Sequence, residues 1–96
     1  MINTHIKDTI KQIINLNLPN HAYRVFIFGS RAVGNSRKFS DIDLGLLGSA
    51  PLTPKEYMTL KFAFEDSDLP YRIDLVDFYN VSDEFKKISL TNVINI

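Results

Sequence analysis

The sequence contains no cysteine and no tryptophan, and it has only four glycines and four prolines. The absence of cysteine excludes disulfide bonds and thiolate metal sites. No run approaches the roughly 18 apolar residues that a membrane-spanning helix needs, so no membrane segment is expected. The N-terminus lacks a charged start followed by an apolar stretch, so we expect no signal peptide and a cytoplasmic location.

The chain also lacks an excess of charge of either sign, because 11 Lys and Arg residues balance 11 Asp and Glu residues. Binding of extended nucleic acid needs a basic surface, so no such partner is expected, whereas one nucleotide held through a metal ion is not excluded. The 96 residues predict a single domain over 1–96. A domain this small buries a modest share of its surface, so a homodimer or a hetero-oligomer is an open alternative to a monomer.

Hydrophobic patterning predicts helices that alternate with strands. A first helix is predicted from apolar residues at helical spacing, with Asn3 or Thr4 as its N-cap and an end at Pro19; these residues are Ile6, Ile10, Ile13 and Ile14. Strands are predicted at 23–28, 41–47 and 71–77: the first segment is dense in β-branched and aromatic residues, and in the second apolar residues alternate with Asp and Gly. A short helix is predicted just after Gly29, and it ends at Gly34.

Two further helices have clear start signals. Thr53, the following proline and Glu56 form the pattern of an N-cap, a proline at the first helical position and a capping box. Ser82 opens a C-terminal helix, in which Phe85, Ile88 and Val93 are predicted to face inward. The whole order favours an α/β (α+β) fold, with a small mixed β-sheet flanked by helices.

The most informative pattern is a Gly-Ser pair, ten intervening residues, and an Asp-Ile-Asp triplet. Gly29 and Ser30 follow a buried strand, where a glycine lets the backbone approach a phosphate closely and a helix N-terminus attracts anions. Asp41 and Asp43 lie on one face of the next strand, about 6.5–7 Å apart at Cα. Two carboxylates at that spacing can converge on divalent cations, and without a cation their repulsion is costly. Either element alone is also compatible with an ordinary turn or a solvated strand.

A third carboxylate lies in the middle of the last predicted strand. Asp74 shares a strand face with Arg72, so a metal ion, an attacking hydroxyl or an ion pair with a nearby base could satisfy it. Asp77 lies on the opposite face and is predicted to cap a turn. Arg31 and Arg37 lie next to the Gly-Ser and Asp-Ile-Asp elements and could steady a triphosphate, although a solvated basic loop explains them equally well.

These motifs together resemble the minimal nucleotidyltransferases of the DNA polymerase β superfamily. The resemblance is carried by residues 29–34, 40–44 and 73–76 and covers nearly the whole chain. It implies a polymerase-β-like nucleotidyltransferase fold. It also implies that Asp41, Asp43 and Asp74 are catalytic and bind two Mg²⁺ ions, while Gly29, Ser30, Arg31 and Arg37 hold the phosphates of ATP.

The resemblance also implies a partner. Minimal members of this family commonly act beside an all-helical HEPN-domain toxin, in some cases as an antitoxin that attaches AMP to a tyrosine of the toxin. The expected function is therefore magnesium-dependent transfer of AMP from ATP to such a partner. Two alternatives stay open: a catalytically vestigial module that neutralises the partner by contact, for which Met58 and Phe62 are candidate contact residues, and a small-molecule or RNA nucleotidyltransferase.

Overall fold

The computed structural model describes residues 3–29, 32 and 41–96. Three helices lie within these residues: α1 (Thr4–Asn17), α2 (Pro54–Glu65) and α3 (Asp83–Ser89). Four strands accompany them: β1 (Arg24–Phe28), β2 (Ile42–Leu47), β3 (Ile73–Asp77) and β4 (Ile94–Asn95). No helix of this part of the chain has the length and apolar character that crossing a bilayer requires.

The helix starts follow from local capping. The Asn3 side chain accepts a hydrogen bond from the Ile6 N–H at 2.9 Å, which identifies Asn3 as the N-cap of α1. Thr53 and Glu56 form the predicted capping box of α2, with bonds of 3.1 and 2.8 Å between side chain and backbone. Ser82 caps α3 in the same way through the Phe85 N–H. These signals fix where the three helices begin.

The strands form one mixed sheet in the order β3-β2-β1-β4. The β1 strand is antiparallel to both β2 and β4, whereas β2 and β3 are parallel. Parallel neighbours need a crossover connection, and α2 supplies it between β2 and β3. The mixed sheet and flanking helices predicted from the sequence are confirmed.

The two faces of the sheet carry different side chains because strand residues alternate. One face packs against α1 and α2 through Ile27, Leu44 and Leu75, among other buried aliphatic residues. The other face carries an aromatic cluster, which we define as Phe26, Phe28 and Phe78. Asp43 belongs to this second face, since it alternates with the core residues Ile42 and Leu44 on β2.

Two expectations about the C-terminal region were wrong. The sequence pattern did not predict β4, whose two residues pair with Phe26 and Ile27 of β1. Ile88 does not face inward, because it is 68% exposed. Phe85, which is 41% exposed, and Val93 do pack on the aromatic cluster as predicted, and Leu90 of the same region packs there as well. The predicted short helix after Gly29 lies outside the described residues except for Ala32, whose N–H donates to the Gly29 carbonyl at 3.1 Å.

Candidate active site

Asp43 and Asp74 lie side by side in the sheet. They are register partners in the parallel pair of β2 and β3, so their side chains project from the same face. On its other side, Asp43 is paired with Phe28, the last residue of β1. Asp43 therefore lies between the third strand and the end of the first, where the chain turns at Gly29. The sequence pattern alone could not show this register, which depends on the order of the strands.

Asp41 joins the pair electrostatically. It is exposed and immediately precedes β2, two residues before the half-buried Asp43. Burial raises the pKa of Asp43 above the ordinary value of an aspartate, and the negative charges of Asp74 and Asp41 raise it further. The three predicted carboxylates thus form one negatively charged region, centred on Asp43.

Gly29 presses its backbone against this region. Its φ of +76° lies in the left-handed region that favours glycine. A Cβ placed on Gly29 would come within 2.5 Å of Oδ2 of Asp43, so any side chain here would collide with the carboxylate. Glycine is needed at this position both for its conformation and for the close approach of the turn to Asp43.

Gly45 has a related role further along β2, which the sequence pattern did not reveal. A Cβ on Gly45 would lie 2.5 Å from the Phe26 ring and 2.8 Å from the Phe78 ring. The missing side chain therefore makes room for the aromatic cluster, which covers the sheet beside the acidic pair. The alternation of Phe26 and Phe28 on β1 was the available signal, because it places both rings on the face that carries Asp43.

Of the other predicted residues, two aspartates lie within the described part of the chain and three phosphate-binding residues lie outside it. Asp77 is a turn residue as predicted: its carboxylate accepts hydrogen bonds from the Leu52 N–H at 2.8 Å and the Tyr79 N–H at 3.0 Å. Asp74 is exposed, and its carboxylate has neither a hydrogen bond nor an ion pair with Arg72 or any other described residue. Three predicted phosphate-binding residues, Ser30, Arg31 and Arg37, lie outside the described residues and stay predictions.

The acidic region offers the kind of ligand atoms that magnesium prefers, but its carboxylates are not arranged around a single ion position. Carboxylate oxygens are the protein ligands that Mg²⁺ prefers. Burial, and then the negative charges of Asp74 and Asp41, raise the pKa of Asp43, and a cation would offset these unfavourable effects on the ionised carboxylate. Within residues 3–29, 32 and 41–96, no three His, Cys, Asp or Glu side chains are already arranged to hold a metal ion. Mutual repulsion favours spread carboxylates when no cation is bound. The exposure of Asp41 and Asp74 leaves both side chains room to turn.

The raised pKa of Asp43 predicts that Asp43→Asn stabilises the metal-free protein at neutral pH. The folded state binds the Asp43 proton more tightly than the unfolded chain, so stability falls as the pH rises from the ordinary aspartate pKa, about 3.9, through the raised one. Asparagine removes this penalty. Thermal unfolding in EDTA should give a higher midpoint for the variant at pH 7, and the difference should vanish near pH 3. An equal gain at both pH values would contradict the electrostatic cause.

The fold and the acidic site define a class of protein, the nucleotidyltransferases. A sequence profile described as "Polymerase beta, Nucleotidyltransferase" matches residues 8–95. The chain therefore belongs to the polymerase β nucleotidyltransferase family, and the resemblance carried by the Gly-Ser and Asp-Ile-Asp elements is confirmed.

Within this class, the chain is similar to one curated protein and to several solved structures. The chain is 40% identical over 79 residues to the probable protein adenylyltransferase MntA of Haemophilus influenzae, and the match covers 82% of this chain and 68% of that protein. A solved toxin–antitoxin structure with AMP-PNP superposes with a TM-score of 0.73 at 24% identity, over 93% of this chain and 70% of that one. A chain of a second solved structure, described as a tri-AMPylated Shewanella oneidensis HEPN toxin in complex with MNT antitoxin, superposes with a TM-score of 0.66 at 21% identity. The match covers 93% of this chain and 66% of that one. The two structural likenesses establish the fold.

Proposed function

We propose that the protein is a magnesium-dependent adenylyltransferase that moves AMP from ATP to a tyrosine of a HEPN-domain toxin and thereby acts as its antitoxin. The observation that carries the proposal is the register of Asp43 with Asp74 beside the Gly29 turn. Membership of the nucleotidyltransferase family supports the reaction class. The 40% identical relative that is named a probable protein adenylyltransferase supports the kind of acceptor.

In the proposed reaction, the tyrosine oxygen forms a bond to the α-phosphorus of ATP. The bond from that phosphorus to the bridging oxygen breaks, and pyrophosphate leaves with the electron pair. The products are AMP-tyrosine, pyrophosphate and one proton. Asp74 is the candidate acceptor of that proton, because its carboxylate is exposed on β3 at the end of the sheet order, where a residue of another protein can reach it.

The remaining site residues would hold the metal and the phosphates in place. Asp41, Asp43 and Asp74 would hold magnesium, which when bound lowers the pKa of the acceptor hydroxyl and neutralises charge on the triphosphate and the leaving pyrophosphate. The turn at Gly29 brings backbone next to Asp43, where the phosphates would lie. The half-buried setting of Asp43 strengthens its interaction with any cation held there, because fewer water molecules screen it.

Labelled ATP tests this function directly. The purified protein is mixed with the HEPN-domain toxin that the proposal assigns as its partner, with Mg²⁺ and ATP labelled either at the α- or at the γ-phosphate. We expect the partner to acquire the α-label but not the γ-label, and to gain mass in steps of one AMP residue. EDTA should abolish the transfer. Absence of the α-label, with full neutralisation of the toxin, would contradict an enzymatic function and favour a module that acts by contact alone.

A further inference from the structure

A groove opens directly beside the Gly29 turn. Phe28 and Gly29 form one wall, and the other wall is formed by α3 and the turn after it, through Phe85, Ile88 and Asn92. The groove has a volume of about 530 Å³, and most of its lining is apolar. This volume lies within the range of roughly 300–1,000 Å³ that is typical of small-molecule sites.

The groove presents an aromatic surface that is held in place from below. The Phe85 ring meets the Phe28 ring edge to face, with centroids 6.1 Å apart and an interplanar angle of 86°. Phe28 is buried in the aromatic cluster, whereas Phe85 remains 41% exposed. An anchored, half-exposed ring of this kind is a platform on which a planar ligand group can stack.

The edge of the groove offers hydrogen bonds as well as apolar contact. Asn92 is exposed, and its side-chain amide makes no hydrogen bond to any other described residue. An asparagine amide has both a donor and an acceptor, the combination that pairs with the amino group and ring nitrogen of adenine. This pairing favours a nucleobase over the side chains of Phe, Trp and Tyr. Phe has no polar atom, Trp has only a donor, and Tyr has a single hydroxyl in place of an adjacent donor and acceptor.

Gly29 connects the groove with the acidic site. It lines the groove, and its α-carbon lies so close to Asp43 that an added Cβ would reach within 2.5 Å of the carboxylate. A ligand with a charged end at Asp43 and a flat apolar end in the groove matches this arrangement. We propose that the groove binds the purine base of the nucleotide substrate, with Phe85 as the stacking residue and Asn92 as the residue that reads its edge; this rests on the proposed function.

Binding measurements with and without the base test this assignment. The ligands are α,β-methylene-ATP, which cannot donate AMP, and inorganic tripolyphosphate, each titrated calorimetrically with Mg²⁺ into the full chain. Phe85→Leu keeps apolar bulk but removes the aromatic face, and it should weaken the ATP analogue about tenfold. Its affinity for tripolyphosphate should not change. Phe62→Leu is the matched control, since Phe62 is an exposed phenylalanine on α2, which packs on the other face of the sheet.

Asn92→Ala provides a second variant whose folding is not in question, because the side chain is exposed. It should weaken the adenine nucleotide about fivefold and lower the preference for the adenine over the guanine analogue. Unchanged affinity for the ATP analogue in both variants would overturn the assignment. Equal losses for the ATP analogue and tripolyphosphate would also overturn it, because they would indicate a structural effect on the whole site.

Two other results would distinguish a failure of the base-binding assignment from a failure of the proposed adenylyltransferase function. Unchanged nucleotide affinity with a raised KM for the partner protein would assign the groove to the acceptor and overturn the assignment to the base. If the unaltered protein bound neither tripolyphosphate nor the ATP analogue, the proposed adenylyltransferase function itself would be contradicted. Thermal unfolding of each variant verifies that the affinities refer to folded protein.

Discussion

Replacing Asp43 with asparagine is expected to lower AMP transfer to the partner by at least roughly 10²- to 10³-fold, the loss typical of removing one electrostatic group from an active site. Asp43 lies between Phe28 and Asp74 in the sheet, and the Gly29 turn presses against it. Asparagine keeps the shape of the side chain but removes the charge that would hold a cation. Initial rates of transfer from α-labelled ATP, at saturating partner, measure the effect.

The stability of the same variant separates a lost charge from a damaged fold. Because the pKa of Asp43 is raised in the folded state, Asp43→Asn should unfold at a higher temperature than the unaltered protein at neutral pH without metal. Loss of activity together with a gain in stability cannot come from misfolding. Asp8→Asn is the control: Asp8 is an exposed aspartate on α1, which packs on the other face of the sheet, and its substitution should change neither property. Full transfer by Asp43→Asn would locate the chemistry elsewhere.

Local signals predicted most of the elements, because they act within a few residues. The cap of α2 at Thr53 and the alternation around Ile42 depend on neighbours in sequence, and both appear in the structure as predicted. The common face of Asp43 and Gly45 follows from the same alternation. Such features need no knowledge of which strands pair.

Long-range features were not accessible in the same way. The register of Asp43 with Asp74 depends on the crossover through α2, and β4 is defined by its pairing with β1, far away in the chain. A strand as short as Ile94–Asn95 carries too little pattern to be recognised alone. Ile88 was placed inside because helical spacing assumes a core on one side, whereas the short helix α3 contacts the sheet mainly through Phe85. The groove beside Gly29 results from that limited contact.

Phe78→Ala is expected to destabilise the fold by roughly 3–5 kcal/mol, the typical loss for truncating a buried phenylalanine. Phe78 is 0% exposed, and its ring centroid lies 4.9 Å from that of Phe26 and 5.0 Å from that of Phe28. Gly45 has no side chain that could fill the space left by the ring. Since small domains have a total stability of about 5–15 kcal/mol, this loss takes a large part of it. The unfolding midpoint should fall by at least roughly 12 °C.

Two variants test whether this loss comes from the packed cluster. Phe78→Leu retains much of the buried volume and should cost less than half as much as Phe78→Ala. Phe62→Ala removes a phenylalanine that is 58% exposed, so its effect should stay within about 0.5 kcal/mol. Similar midpoints for Phe78→Ala and Phe62→Ala would mean that the aromatic cluster does not stabilise the sheet. Because the cluster covers the face that carries Asp43, Phe78→Ala should also reduce AMP transfer at temperatures where the protein is still folded.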